Sequence, residues 1–169
     1  MNVKTIVNIL SAMLVITGLS MLIPTVISWS FSEPDLSGHL QSMIICIVVG
    51  IPFWMITRKS RALNSKDGFA IVSFAWLIVA FAGSLPFYLS GTIPNFTDAW
   101  FEAMSGVTTT GATIIGNPTT LPNLPNGIES MPHGILFWRS FLQWIGGMGI
   151  IVFTIEIVPL LGVGGVQLF

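Results

Sequence analysis

The sequence predicts an all-α integral membrane protein in which two spanning helices precede one helix, pore-loop, helix repeat. Three observations lead there. Of 169 residues, 53% are hydrophobic and 8% are charged, where a soluble domain carries about 25% charged residues. Four runs free of charge, or nearly so, reach the ~20 residues that a helix needs to cross the hydrocarbon. Between the third and fourth lies a stretch too short to cross, followed by a run of threonines ending in glycine.

The first run extends from Thr5 to Ser32, is much longer than a signal-peptide core, and has no small-residue cleavage site closing it. It predicts one spanning helix, with Trp29 and Phe31 at the headgroup layer. A polar turn with Glu33, Pro34 and Asp35 leads to the second run, Leu36 to Thr57. Arg58, Lys59, Arg61 and Lys66 follow in one short loop, and Lys4 precedes the first helix. Positive charge stays inside, so the N-terminus and this loop are expected in the cytoplasm and the Glu33 turn outside. Gly68 to Leu89 is the third run, with Pro86 and Tyr88 at its outer end. Residues Ser90 to Pro132 are rich in Thr, Pro, Asn and Gly and belong on the outer side, and His133 to Leu161 returns inward. No Lys or Arg anchors the stretch from Ser140 to Phe169, so the chain reads as the N-terminal part of a longer polypeptide.

Some function classes fall at once. Six Lys and Arg against seven Asp and Glu give a net charge of -1, which offers no basic surface to a nucleic acid. Cys46 is the single cysteine, sits in an apolar run, and has neither a disulfide partner nor metal-ligand neighbours in sequence.

The informative stretch is Thr97 to Val107, TDAWFEAMSGV. As a helix it makes about three turns, roughly 15 Å, half of a bilayer. A half-helix must return to the side it came from. Thr97 or Asp98 is expected to cap its start, where Asp98 and Glu102 complement the dipole. Its electronegative end then points to the membrane centre. There Thr108, Thr109, Thr110, Gly111, Ala112 and Thr113 predict an extended strand of carbonyl oxygens, with Gly111 free to take backbone angles closed to other residues. Such oxygens replace the water shell of a monovalent cation such as potassium. At that depth they are tolerated only along a wet path, because lipid cannot satisfy them.

Taken together, EAMSGVTTTGAT, FWRSFLQWIGGMGIIV and LLGVGGVQLF resemble the first pore repeat of the bacterial TrkH/TrkG potassium-uptake proteins, and the preceding helix pair resembles the two extra helices that set this group apart from KtrB proteins. The resemblance covers the whole chain and about the first third of a family member. It implies residues 1–67 as an N-terminal helix pair with a basic cytoplasmic loop, and residues 68–169 as the first of four repeats of a potassium-channel-like fold on one polypeptide. It implies Thr109 and Thr110 as donors of potassium-coordinating oxygens, Gly111 as the filter glycine and Thr108 just inside it. It further implies potassium uptake across the cell inner membrane, three more pore repeats, a homodimer, and a cytosolic nucleotide-binding regulatory subunit of the TrkA type. The outer loop from Ile114 to Pro132 is longer than the family leads one to expect.

The remaining polar residues divide between sharp and bland readings. Arg139 stands one to two turns into the last helix, near the depth of Glu102, and an ion pair between them would brace the half-helix. Snorkelling of Arg139, or pairing with another repeat, is the alternative. Glu156 reads as an interfacial acid. Gly146, Gly147 and Gly149 suit close helix packing more than a hinge. Gly162, Gly164 and Gly165 complete no nucleotide loop. His39 and His133 read as wet interfacial residues, and the Asn95-Phe96-Thr97 triplet as a coincidental glycosylation signal. Two rival functions remain: an intramembrane serine hydrolase using Ser105 and His133, although no acid is placed to orient that histidine, and a non-conducting assembly subunit held by its packing glycines.

Overall fold

A computed structural model describes residues 2–58, 65–116, 121, 124 and 126–160, excluding the side chains of 65 and 152–160. Lys59, Arg61, Gly162, Gly164, Gly165 and the side chain of Glu156, all singled out above, lie outside what is described. Among the described residues there are helices and turns and no strand.

The first apolar run is two helices, not one. α1 covers Val3–Ser20 and α2 covers Leu22–Ser30, joined at Met21. Pro24 explains the break, since it has no N–H to give Ser20 and its ring crowds that carbonyl. At the third position of α2 the missing donor costs nothing. Met21 N–H instead donates to Gly18 O, and Thr25 N–H takes up Met21 O. The pair still forms one membrane-length apolar rod, Val3–Ser30.

α3 (Leu36–Ile56) and α4 (Ser65–Leu89) follow the second and third runs closely. Together with α1 and α2 they supply the three candidate membrane spans among the described residues. Ile16, Val26, Val48 and Phe53 leave their side chains exposed on this group, the outward apolar face a spanning helix presents to lipid. Small residues bring the helices together: a Cβ on Gly18 would stand 2.7 Å from Cys46 Cβ, and one on Gly50 2.6 Å from Val15 Cγ2. α1 thus packs along α3 and α4.

α5 (Phe96–Val107) is the short element, and α6 (His133–Leu160) is the long return. Twelve residues rise about 18 Å, too little to cross. α5 lies between α4 and α6, and α2 reaches across to α6. The core between them is built from Phe87, Ile93, Ala99, Ala103, Trp138 and Leu142, all fully buried. Trp138 also uses its polar edge, donating Nε1–H to Gly83 O at 2.9 Å. Gly127–Ser130 makes one 3₁₀ turn in the connection between α5 and α6.

Candidate functional site: the half-helix and its return loop

The start of α5 is capped by Asn95, whose side-chain oxygen accepts the Thr97 N–H at 2.9 Å. Thr97 and Asp98, expected as caps, are inside the first turn, where Asp98 complements the dipole. The triplet at Asn95 therefore has a structural use that the glycosylation reading overlooked. Cap preference alone ranks Asn with Asp; what picks Asn95 is its extended backbone at φ -93°, ψ 124°.

The far end of α5 decides the geometry of the threonine run. Thr110 N–H donates to Ser105 O at 3.0 Å, and Thr109 N–H to Gly106 O at 2.9 Å. Those two bonds form the paired C-terminal cap that normally places glycine in the left-handed conformation. Here the residue is Thr109, with φ +57°. A β-branched residue there is strained by roughly 1–2 kcal/mol. Gly111 is also left-handed, with φ +76°. The segment from Thr108 to Thr113 is therefore not the extended strand expected from sequence. The cap turns the chain sharply, and the sign of φ alternates along 109–111.

Two anchors then hold the returning chain against α5. Ser105 Oγ donates to Ala112 O at 2.6 Å. Thr113 Oγ1 donates to both oxygens of Glu102 at 3.0 Å, and Ile114 N–H to Glu102 Oε2 at 3.3 Å. Glu102 is buried, and its charge is met by Arg139 of α6, whose Nε–H donates to Oε1 at 2.6 Å. One carboxylate thus joins half-helix, return loop and long helix. A charge-assisted bond of this length is among the stronger ones a protein makes.

Gly146 completes the bracing. A Cβ there would overlap the Val107 carbonyl oxygen, so α6 touches the last turn of α5 backbone to backbone. Close packing, not hinge softness, is the work of Gly146. Gly147 lies near the Thr109 side chain, with Cγ2 4.0 Å from a Cβ placed there. What remains unburied is the loop itself: Thr108, Thr110, Gly111, Ala112 and Thr113 are exposed.

The hydrolase pair does not assemble. Ser105 is committed to Ala112 O, and His133 is committed elsewhere. His133 Nδ1 lies 2.6 Å from Glu33 Oε1, its backbone N–H donates to Glu33 Oε2 at 2.7 Å, and its ring stacks on Phe31 at 4.2 Å. The sequence reading found no acid for this histidine, but Glu33, a hundred residues earlier, supplies one. His39 also departs from expectation, being fully buried in the first turn of α3 with Nε2 3.3 Å from Asp35 Oδ2. Ser28 Oγ donates to the same oxygen at 2.8 Å. Gly134 packs onto this cluster, since a Cβ there would overlap Ser28 Oγ. Helix α2, the turn after it and the start of α6 are thereby pinned at one corner.

The family model described as "TrkH: Cation transport protein" matches residues 37–169. Among curated relatives, "Trk system potassium uptake protein TrkH" of Escherichia coli (strain K12) is 38% identical over 172 residues, covering 100% of this chain and 33% of that protein. "Trk system potassium uptake protein TrkG" of the same organism is 32% identical over 170 residues, with coverages of 99% and 33%. The solved structure "Crystal Structure of the Potassium Transporter TrkH from Vibrio parahaemolyticus" superposes with a TM-score of 0.84 at 36% identity, over 99% of this chain and 34% of that one. The chain spans about a third of the length of the relatives it matches.

Proposed function

This chain belongs to the TrkH family of cation transport proteins, and from that premise we propose that it carries one quarter of a potassium path whose oxygens come from the backbone of residues 108–111. The observation that carries the reading is the strained, exposed turn after α5. In a chain built of lipid-facing helices, unburied peptide groups need water or an ion, since hydrocarbon offers them nothing. Backbone carbonyl oxygens gathered at such a turn can replace the water shell of a cation. Thr109 and Thr110 supply oxygens, Gly111 allows the left-handed turn that follows them, and Thr108 lies at the inner edge. Thr110 Oγ1 and Thr108 Oγ1 hydrogen-bond to each other at 2.8 Å, which ties the two side chains together.

The remaining parts have supporting roles. Glu102, Arg139 and Ser105 hold the loop so that its oxygens keep their spacing when a cation sheds water. Residues 1–67 are the helix pair outside the path, and residues 68–169 the first repeat. Three further repeats close the ring, two such proteins pair, and a TrkA-type regulatory subunit binds on the cytosolic side. The N-terminus lies in the cytoplasm and the membrane is the bacterial inner membrane. Entry needs no reaction on this chain, since an inside-negative potential supplies about 2.3 kcal/mol per charge per 100 mV.

Rubidium uptake by proteoliposomes of the full-length protein tests the proposal. A Cβ on Gly111 meets no atom within 4 Å, so Gly111→Ala costs backbone conformation and not space. The variant should fold and insert normally and lose most of its uptake. Unchanged uptake would show that this loop is not on the path.

A further inference from the structure

At the opposite end of α3 from the Ser28, Asp35 and His39 corner, α1 and α3 border an open hollow of about 430 Å³ lined by Lys4, Met55, Ile56, Thr57 and Arg58. We propose that it holds the anionic phosphate headgroup of a membrane lipid. Two cations from positions 54 residues apart face one space, and among the described residues neither is paired with a carboxylate. Asp67, the acidic residue of the adjoining helix start, is buried, accepts Asn2 N–H at 2.9 Å and does not line the hollow. Like charges brought together without an acid repel, and a phosphate between them removes that cost while using donors from both.

The local structure favours a preformed site. Arg58 rests 5.8 Å above the Trp54 ring, which limits where its guanidinium can go. Asn8 Nδ2 donates to both Trp54 O and Thr57 Oγ1, at 2.9 and 3.2 Å, tying the end of α3 to α1. The hydroxyl of Thr57, which donates to Phe53 O at 2.6 Å, is thereby fixed on the wall. Beside the cations, Met55 is 61% and Ile56 81% exposed, an apolar margin at the end of a spanning helix. Free phosphate would gain nothing from that margin. A headgroup with acyl chains attached uses both parts, and basic hollows between spanning helices are known to take such headgroups.

The inference depends on the chain spanning a membrane and not on the ion path. A protein that bound lipid here yet conducted nothing would refute the proposed function alone. The test places the full-length protein in nanodiscs of phosphatidylcholine with one-fifth phosphatidylglycerol and measures, by mass spectrometry, the anionic lipid retained on extraction into detergent. Wild-type protein should retain phosphatidylglycerol above its bulk share. Lys4→Gln and Arg58→Gln should each lower retention by about fivefold, which corresponds to the ~1 kcal/mol a cation is worth near an anionic lipid surface. Lys66→Gln, removing an exposed cation that does not line the hollow, should leave retention unchanged. Equal loss in Lys66→Gln would reduce the effect to general surface charge and overturn the proposal. So would displacement of the lipid by millimolar inorganic phosphate, which would assign the hollow to a free anion.

Discussion

Replacing Glu102 by Gln keeps size and shape and removes one charge, so it isolates what the buried carboxylate contributes. In the native structure every group around it is a donor: Arg139 Nε, Ile114 N and the Thr113 hydroxyl. An amide can accept with its oxygen, but its NH₂ must then face an N–H that has no acceptor to offer. If the oxygen serves Ile114, Arg139 is left as a largely buried cation without a counter-charge; if it serves Arg139, the return loop loses its anchor. Breaking a buried pair from one side costs about 3–5 kcal/mol. Because Arg139 retains 19% of its side-chain exposure, water screens part of that, and about 3 kcal/mol is the expected loss. Thermal unfolding of the full-length protein in detergent, followed by rubidium uptake on the fraction that remains folded, measures both consequences. The double variant Glu102→Gln with Arg139→Gln should recover part of the stability, since neither charge is then stranded, with a coupling of about 1–3 kcal/mol. Uptake should return in part, because the amide oxygen no longer has Arg139 to serve and can accept the loop donors Ile114 N–H and Thr113 hydroxyl. Native stability and native uptake in Glu102→Gln would refute the bracing of half-helix, loop and α6 by a single carboxylate.

Gly146→Ala forces its methyl into the Val107 carbonyl and should destabilise by about 1–3 kcal/mol, as overpacking does, read as a lower unfolding midpoint. Thr109→Gly relieves a left-handed β-branched residue at φ +57° and should stabilise by about 1 kcal/mol, while rubidium uptake or preference over sodium falls. That combination distinguishes strain kept for function from strain without one. Acid should act at the corner that Ser28, Asp35 and His39 form. Burial raises the Asp35 pKa, but the His39 imidazole and Ser28 hydroxyl outweigh it and hold the carboxyl below its ordinary 3.8. A depressed folded pKa gives stability that is present above the unfolded value and lost as pH falls through the folded one. The stability of wild-type protein should therefore decline below pH 3.8 more steeply than that of Asp35→Asn.

Much of this architecture is legible in the sequence because a bilayer imposes a simple code. The ends of α3, α4 and α6 lie within a few residues of the uncharged runs, as expected when length against hydrocarbon thickness sets the element. The Met21 break was missed since hydropathy is blind to it, although Pro24 was there to be read. Arg139 and Glu102 could be matched by depth alone, a charge in the membrane having few partners to choose from. The turn at Thr109 was not legible. A threonine run favours extended backbone by propensity, and only the cap bonds from Thr109 and Thr110 onto α5 override it. Burial of His39 was equally hidden, for it rests on Ser28 and Asp35 meeting across a turn and on Gly134 arriving from a helix nearly a hundred residues later.

Where the cation sits can be observed directly. Crystals of the full-length protein grown in thallium, a heavy potassium substitute with anomalous signal, should show a peak on the path axis at coordinating distance from the carbonyl oxygens of Thr109 and Thr110, weakened or lost in Gly111→Ala. Peaks confined to other parts of the molecule, with residues 108–111 facing lipid or packed protein, would contradict the assignment of this loop to the ion.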